Sequence, residues 1–136
     1  MKTGTFGVKT GSRKTVVDIT GEAAAFVAGE GDGLLNVFLP HATAGVAIIE
    51  MGAGSHADLL DAIDRLLPPD DALYRHRHGS AGHGADHVLP AWIAPSLIVP
   101  FVQGELMLGT WQSIVLVDPN RDNATRTVRL TMMSGG

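Results

Sequence analysis

Four of the six histidines lie in one short segment, Leu73–His87, which reads LYRHRHGSAGHGADH. His76 and His78 are two residues apart, so on an extended strand both rings would project from the same face. His83 and His87 are four residues apart and would align on one face of a helical turn. Neutral imidazole is a good zinc ligand, and three such ligands leave one coordination position open for chemistry. The alternative interpretation is a solvated polar loop, since its glycines disfavour one continuous helix.

Further candidate residues stand at the ends of two apolar strands. His41 follows the run GLLNVFLP, and Glu50 ends the run VAIIE. A carboxylate near imidazoles can bind a metal, orient a ligand or act as a general base. Glu50 is therefore a candidate catalytic residue, together with Thr43 beside His41. The alternatives are a hydrogen-bonded strand-end histidine, a turn-capping threonine and an exposed glutamate.

A candidate substrate pocket is indicated by the segment GTWQ, in which Thr110, Trp111 and Gln112 would form one wall. A buried tryptophan needs a partner for its indole N–H, and Trp111 has polar neighbours on both sides. Arg121, in the turn PNRDN, is a candidate partner for an anionic ligand. The alternatives are a core or interface aromatic at Trp111 and a solvated arginine at Arg121.

The elements that would position these residues are mostly strands. Apolar residues recur at helical spacing in SHADLLDAIDRLL, which predicts a helix over Ser55–Leu67 with Ser55 as its N-cap. A second helix is predicted over Gly21–Ala28, with Thr20 as its N-cap. The remaining apolar runs predict strands at Thr5–Val8, Lys14–Asp18, Gly33–Pro40, Gly45–Met51, Ser96–Val102, the segment ELMLG, Gln112–Asp118 and Thr125–Met133. We expect a hairpin around Thr10–Ser12 and a C-terminal antiparallel meander. The predicted class is α+β, a mostly antiparallel β-sheet sandwich with two helices.

Composition limits the classes of function. The chain has 136 residues, 45% of them hydrophobic, which predicts a single globular domain over residues 1–136. The formal net charge of −4 and the lack of a basic cluster argue against nucleic acid as the partner. There is no cysteine, so thiolate ligands and disulfides are excluded. No apolar run approaches the roughly 20 residues that cross a membrane, and no signal-peptide pattern is present, so we expect a cytoplasmic protein.

Taken together, these segments resemble the YjbQ-like family, also described as secondary thiamine-phosphate synthases. The resemblance rests on HATAGVAIIE, LLPPDDALYRH, the segment around Asp86–Val88, and GELMLGTWQSIVLVD. These motifs occur in the family's order and cover the chain from about Thr5 to Met132. The motif GTWQ is specific in combination with the upstream histidine and the Tyr-x-His of Tyr74 and His76.

The resemblance implies a compact α+β protein that assembles as a homotrimer. It places the family's recurrent histidines on His41, His76 and His87, as metal ligands, and implies a metal-binding enzyme acting on a small phosphorylated substrate. Thiamine-phosphate synthase is implied as a side activity. Zinc is the expected metal because it accepts imidazole ligands, and magnesium, which prefers oxygen, is the alternative. Two other hypotheses stay open: a zinc-dependent hydrolase with Glu50 as base, and a non-catalytic trimer that binds a metal or an anion.

Overall fold

The computed structural model describes residues 1–135 and confirms the α+β class with antiparallel sheets. Strand and helix order is β1 (Lys2–Lys9), β2 (Thr15–Asp18), α1 (Thr20–Val27), β3 (Gly33–Phe38), β4 (Gly45–Ile49), α2 (Ser55–Leu66), a 3-10 helix (Asp71–Leu73), α3 (His83–Trp92), β5 (Ser96–Val102), β6 (Glu105–Leu106), β7 (Ser113–Asp118) and β8 (Thr125–Ser134). The strands form a five-stranded sheet in the order β1-β8-β3-β5-β6 and a three-stranded sheet in the order β2-β7-β4.

The strand pairing differs from two expectations. β1 pairs with β8 and β2 pairs with β7, so these neighbours in sequence lie in different sheets and form no hairpin around Thr10–Ser12. Of the predicted C-terminal meander, only the β5–β6 hairpin is present, and its turn lies at Gln103–Gly104. β7 and β8 instead pair with strands from the first half of the chain. Local patterning predicts strands but does not select distant partners.

β7 explains how the layers pack. Its side chains Ile114 and Leu116 belong to the main core, which the two sheets and α1 share. Val115 and Val117 point to the opposite face and pack in a second cluster with α2 and α3. Successive strand residues face opposite sides, so an uninterrupted apolar run is expected when both faces are covered. The three-stranded sheet is therefore the middle layer, with the five-stranded sheet on one side and α2 and α3 on the other.

The helix starts correct the predicted caps. α2 begins at Ser55 itself after Gly54, and no side chain caps it. α1 begins at Thr20 after Ile19, and the Thr20 hydroxyl accepts a hydrogen bond from the Ile114 N–H at 2.9 Å. The apolar stripe of α2 does pack on the sheet, where Ile63 and Leu67 are buried. At α1 the Asp18 side chain accepts a hydrogen bond from the Thr20 N–H at 2.9 Å.

A third helix, α3, corrects the expected number of two. It begins immediately after Gly82, whose φ of 84° is readily adopted by glycine, and it contains Pro90. Gly79 and Gly82 precede α3, and Gly84 is its second residue, so these glycines do not prevent the helix from forming. Gly84 lets α3 approach the preceding segment closely, because a Cβ there would lie 2.8 Å from Cβ of Tyr74.

The outer face of the five-stranded sheet carries exposed apolar side chains on three adjacent strands. We call this the outer apolar face; it comprises Leu34, Phe38, Ile98, Val102 and Met133. Ile98 and Met133 are 60% and 63% exposed. Among residues 1–135, no helix is long and apolar enough to cross a lipid bilayer.

Candidate metal centre

Three histidine rings meet between the 3-10 helix and α3. His76, His78 and His87 each offer a ligand atom, and these atoms lie within 4.8 Å of one another. The ring centroid of His76 lies 3.9 Å from that of His78 and 4.3 Å from that of His87. Ligand nitrogens around a tetrahedral zinc ion are roughly 3.3 Å apart, given Zn–N bonds of about 2.0–2.1 Å. Small ring movements would thus bring the three imidazoles to zinc-binding geometry.

Several ring nitrogens of this cluster are buried without a hydrogen-bond partner among the described residues. They are Nδ1 and Nε2 of His76 and Nε2 of His87. Leaving a buried polar atom unsatisfied costs about 1–3 kcal/mol, so a partner for these atoms would stabilise the site. Burial lowers the pKa of both rings, and the neighbouring histidines lower it further. Both rings therefore favour the neutral form that binds a metal.

Short-range contacts hold the chain that carries His76. The Tyr74 hydroxyl donates to the Pro68 carbonyl at 2.9 Å, and the Tyr74 ring packs on Gly84. The Arg77 guanidinium donates to the His76 carbonyl at 2.8 Å. These contacts fix the loop against α3, where one helical face presents His83 and His87, as their four-residue spacing predicted.

His83 lies beside the three-histidine group and has a carboxylate partner. Its Nδ1 is 3.2 Å from Oδ2 of Asp122, and the Ser80 hydroxyl is 2.8 Å from each oxygen of the same carboxylate. The hydrogen bond from Ser80 lowers the pKa of Asp122, and His83 adds to the shift. Asp122 therefore ties the histidine loop to the turn between β7 and β8, and it fixes the orientation of the His83 ring.

His41 lies outside the three-histidine group of the single chain. Its Nε2 accepts a hydrogen bond from the Thr127 N–H at 3.0 Å. Burial lowers the pKa of His41, and the Arg126 guanidinium contributes to the same shift. The expected set of His41, His76 and His87 thus has two members that meet within one chain. His78, which the resemblance does not place among the ligands, is the third ligand candidate of the structure.

The predicted catalytic residues lie in different environments. Thr43 is buried, and its hydroxyl accepts a hydrogen bond from Nη2 of Arg126 at 2.9 Å. Arg126 is itself buried and paired with Asp118. Sequence reasoning missed this pair, although Arg126 has the inward parity of Val128 and the other core residues of β8. Glu50 directly follows β4 and is partly buried. A catalytic role for Thr43 and Glu50 remains a prediction.

The GTWQ segment is at the surface. Trp111 is 72% exposed, and Thr110 and Gln112 are exposed beside it. The Gln112 side chain turns back and accepts a hydrogen bond from the Gly109 N–H at 2.7 Å. Within one chain this segment is a hydrogen-bonded turn, and its role as a pocket wall stays a prediction.

Arg121 lines a cavity of about 280 Å³ that we call the α2–α3 cavity. Lys14 and Asp86 also line it, together with Ser80. Burial raises the pKa of the Asp86 carboxyl to about 6, and the nearby carboxylate of Asp118 contributes. Ser80 also lines the cleft beside the histidines, so the cavity and the metal candidate are neighbours.

Comparison with known proteins places this architecture in a family. A family model described as "UPF0047 protein YjbQ-like" matches residues 4–135. This chain belongs to the YjbQ-like family. A UPF0047 protein of Mycobacterium tuberculosis is 61% identical over 124 residues, which cover 91% of this chain and 92% of the relative. The Bacillus subtilis UPF0047 protein YugU is 33% identical over 132 residues, covering 95% and 97% of the two chains.

Two solved structures share the fold. A hypothetical protein from Aeropyrum pernix matches with a TM-score of 0.89 at 34% identity, over 98% of this chain and 99% of that one. A Sulfolobus solfataricus protein, described as YbjQ-like and of unknown function, matches with a TM-score of 0.85 over 98% of this chain and 96% of that one. At 23% identity the latter shows the fold alone. The family and the fold are therefore established.

Proposed function

We propose that this YjbQ-like chain is a metal-binding enzyme that acts on a small phosphorylated substrate. The metal is zinc, held by His76, His78 and His87. The observation that carries the proposal is the convergence of these three imidazoles, with three buried ring nitrogens that have no partner in the described part of the chain. The donor set is all nitrogen, which suits zinc better than magnesium.

Three imidazoles leave a fourth coordination position open, and zinc there would supply Lewis acidity to an oxygen of the substrate. The chain contributes the orientation of the ligands. Tyr74 and Gly84 hold the loop against α3, while the contact with Asp122 keeps His83 turned toward the same cleft. Such supporting contacts raise metal affinity because they fix ligand positions before binding.

A phosphorylated substrate is supported by the cations next to the histidines. Arg121 and Lys14 line the neighbouring cavity. A guanidinium can form two parallel hydrogen bonds with a phosphate group. The thiamine-phosphate synthase side activity, which the resemblance implied, fits this class because its reaction joins two phosphorylated molecules and releases pyrophosphate. We further propose that the protein assembles as a homotrimer.

The decisive experiment measures zinc per chain by elemental mass spectrometry in untagged protein and in four alanine variants. We expect near-stoichiometric zinc in the native chain and its loss in His78→Ala and His87→Ala. His56→Ala, which removes a histidine of α2 outside the cluster, is the matched control and should retain zinc. Loss in His41→Ala but not in His78→Ala would show that the ligand set implied by the resemblance is the correct one. A native chain that stays metal-free after reconstitution would refute the metal site.

Activity is tested with the zinc-loaded protein. Pyrophosphate release from paired pyrimidine diphosphate and thiazole phosphate substrates would support the synthase side activity. It should fall to background in His87→Ala and persist in His56→Ala. Equal rates in both variants would mean that the release does not depend on this centre.

A further inference from the structure

The α2–α3 cavity has an apolar floor and a charged rim. Ile63, Leu67 and Leu89 supply apolar lining, and the charged lining residues are Lys14, Asp64, Asp86 and Arg121. Its volume of about 280 Å³ is just below the range of about 300–1,000 Å³ that is typical for drug-sized ligands. The cavity therefore suits a molecule somewhat smaller than a typical drug-sized ligand.

The charges in this cavity are unequally satisfied. The Lys14 ammonium forms an ion pair with the Asp64 carboxylate. Within residues 1–135, the Arg121 guanidinium and the Asp86 carboxyl make neither an ion pair nor a side-chain hydrogen bond. Both lie in one cavity and yet do not contact each other. Asp86 is half-buried, whereas Arg121 is exposed at the cavity. A half-buried carboxylate without a partner is costly, and an exposed guanidinium is free to bind an anion, so the cavity is complementary to a ligand that offers both a donor and a negative group.

We propose that the α2–α3 cavity binds a small phosphate monoester that also carries an amine. The phosphate contacts Arg121, with Lys14 adding positive charge, and the amine donates to the Asp86 carboxylate. This inference rests on the proposed function in one respect, the phosphate on the substrate. It adds the location of the site and the amine as the feature that the site selects.

The geometry also relates the cavity to the histidines. Ser80 and Ala81 line both the α2–α3 cavity and the cleft beside His76, His78 and His83. On α3, Ala85, Asp86 and Leu89 face the cavity, and His87 lies on another face that meets the loop histidines. The start of α3 and the loop at Ser80 and Ala81 thus lie between a ligand in the cavity and the metal candidate.

The test uses the metal-free full chain and three probes: O-phosphoethanolamine, ethyl phosphate and ethanolamine. Binding is followed by amide chemical-shift changes in NMR titrations. We expect O-phosphoethanolamine to bind roughly tenfold more tightly than ethyl phosphate, because a hydrogen bond to a charged group contributes that much affinity. The shifts should map to Gly82, Ala85 and their neighbours. Equal affinity for the two phosphates would overturn the role of the amine.

Two variants assign the contacts. Arg121→Met should weaken both phosphates roughly tenfold, whereas Arg129→Met, which removes the same charge from β8, should not. Asp86→Asn should reduce O-phosphoethanolamine to the affinity of ethyl phosphate. Binding that maps elsewhere, or that Arg121→Met leaves unchanged, would overturn the proposal.

Zinc uptake separates this proposal from the metal proposal. The Arg121→Met variant should keep native zinc content, because no histidine is altered. Phosphate binding without zinc uptake would refute the metal centre and would still support the cavity site. Zinc uptake with no probe binding would refute the cavity site and would still support the metal centre.

Discussion

The guanidinium of Arg126 is buried against the carboxylate of Asp118, with Nε 2.7 Å from Oδ2 and Nη2 3.0 Å from Oδ1. Arg126 lies on β8 of the five-stranded sheet, and Asp118 ends β7 of the three-stranded sheet. Nη2 also donates to the Thr43 hydroxyl. One buried cation therefore connects both sheets with the segment that precedes β4.

We predict that Asp118→Asn lowers the free energy of unfolding by about 3–5 kcal/mol, because a buried guanidinium would lose its counter-charge. Thr43→Val should cost about 1 kcal/mol, since it removes one hydrogen bond. Urea denaturation at pH 7 measures both. Glu30→Gln, which breaks the exposed pair with Lys2, is the control and should cost less than about 1 kcal/mol. An equal effect of Asp118→Asn and Glu30→Gln would contradict the prediction.

Asp86 gives a prediction about pH. Its folded-state pKa of about 6 is above the ordinary value of 3.8, so the native state holds the proton more tightly than the unfolded state. This contribution is most favourable below pH 3.8 and is lost as pH rises through about 6. In chelator-treated protein, Asp86→Asn should therefore raise the free energy of unfolding at pH 7 by about 1 kcal/mol, a value reduced for partial exposure of the carboxyl.

The same denaturation curves at pH 4 provide the check on Asp86. There the native carboxyl is largely protonated, so the variant and the native chain should be equally stable. A gain of the same size at both pH values would mean that ionisation of Asp86 is not the cause. Asp118 and Asp122 raise this pKa and Arg121 and Arg126 oppose them, so those residues stay unchanged in the comparison.

Gly84 predicts a link between packing and metal binding. Gly84→Ala would place a Cβ 2.8 Å from Cβ and 3.1 Å from Cγ of Tyr74, which must then move. We expect a loss of about 1–3 kcal/mol in stability and a lower zinc affinity, because Tyr74 holds the segment before His76. Gly21→Ala in α1 meets no atom within 4 Å and serves as control. It should be neutral or stabilising. Native zinc affinity in Gly84→Ala would show that Tyr74 does not position His76.

The outer apolar face predicts self-association. Monomeric proteins rarely expose large contiguous apolar patches. The outer apolar face spans three neighbouring strands. If it is the contact between the copies of the proposed trimer, Ile98→Glu should shift the molar mass from three chains toward one in light scattering. Thr5→Glu, on β1 at the sheet's edge, should keep the native mass. A native chain that already runs as a monomer would refute the trimer.

Much of the fold follows from local pattern. The helical recurrence in SHADLLDAIDRLL identified α2, and the apolar runs identified the strands, including β1, β2 and β8. Pairing was harder, because β1 and β8 lie at opposite ends of the chain and only tertiary packing brings them together. α3 was missed because Gly84 and Pro90 disfavour a helix, although the spacing of His83 and His87 was a signal for it.

The sequence predicted only some of the residues that meet at the candidate site. His76 and His87 were predicted as ligands, and the structure brings their rings together. The choice between His41 and His78 depends on where β8 passes, since His41 bonds to Thr127 of that strand. The contribution of Lys14 and Asp86 to one cavity depends on how α2 and α3 pack, which no local pattern specifies.

All three imidazoles of the metal candidate come from the continuous segment between α2 and the end of α3, while the core joins strands from both ends of the chain. An ion bound there would close a short loop and would restrict only the local opening of that segment. Amide hydrogen exchange should therefore slow around His76–His87 on zinc binding, while the slowest amides of β7 continue to exchange through global unfolding. The centre would act as a local clasp whose release leaves the two sheets intact.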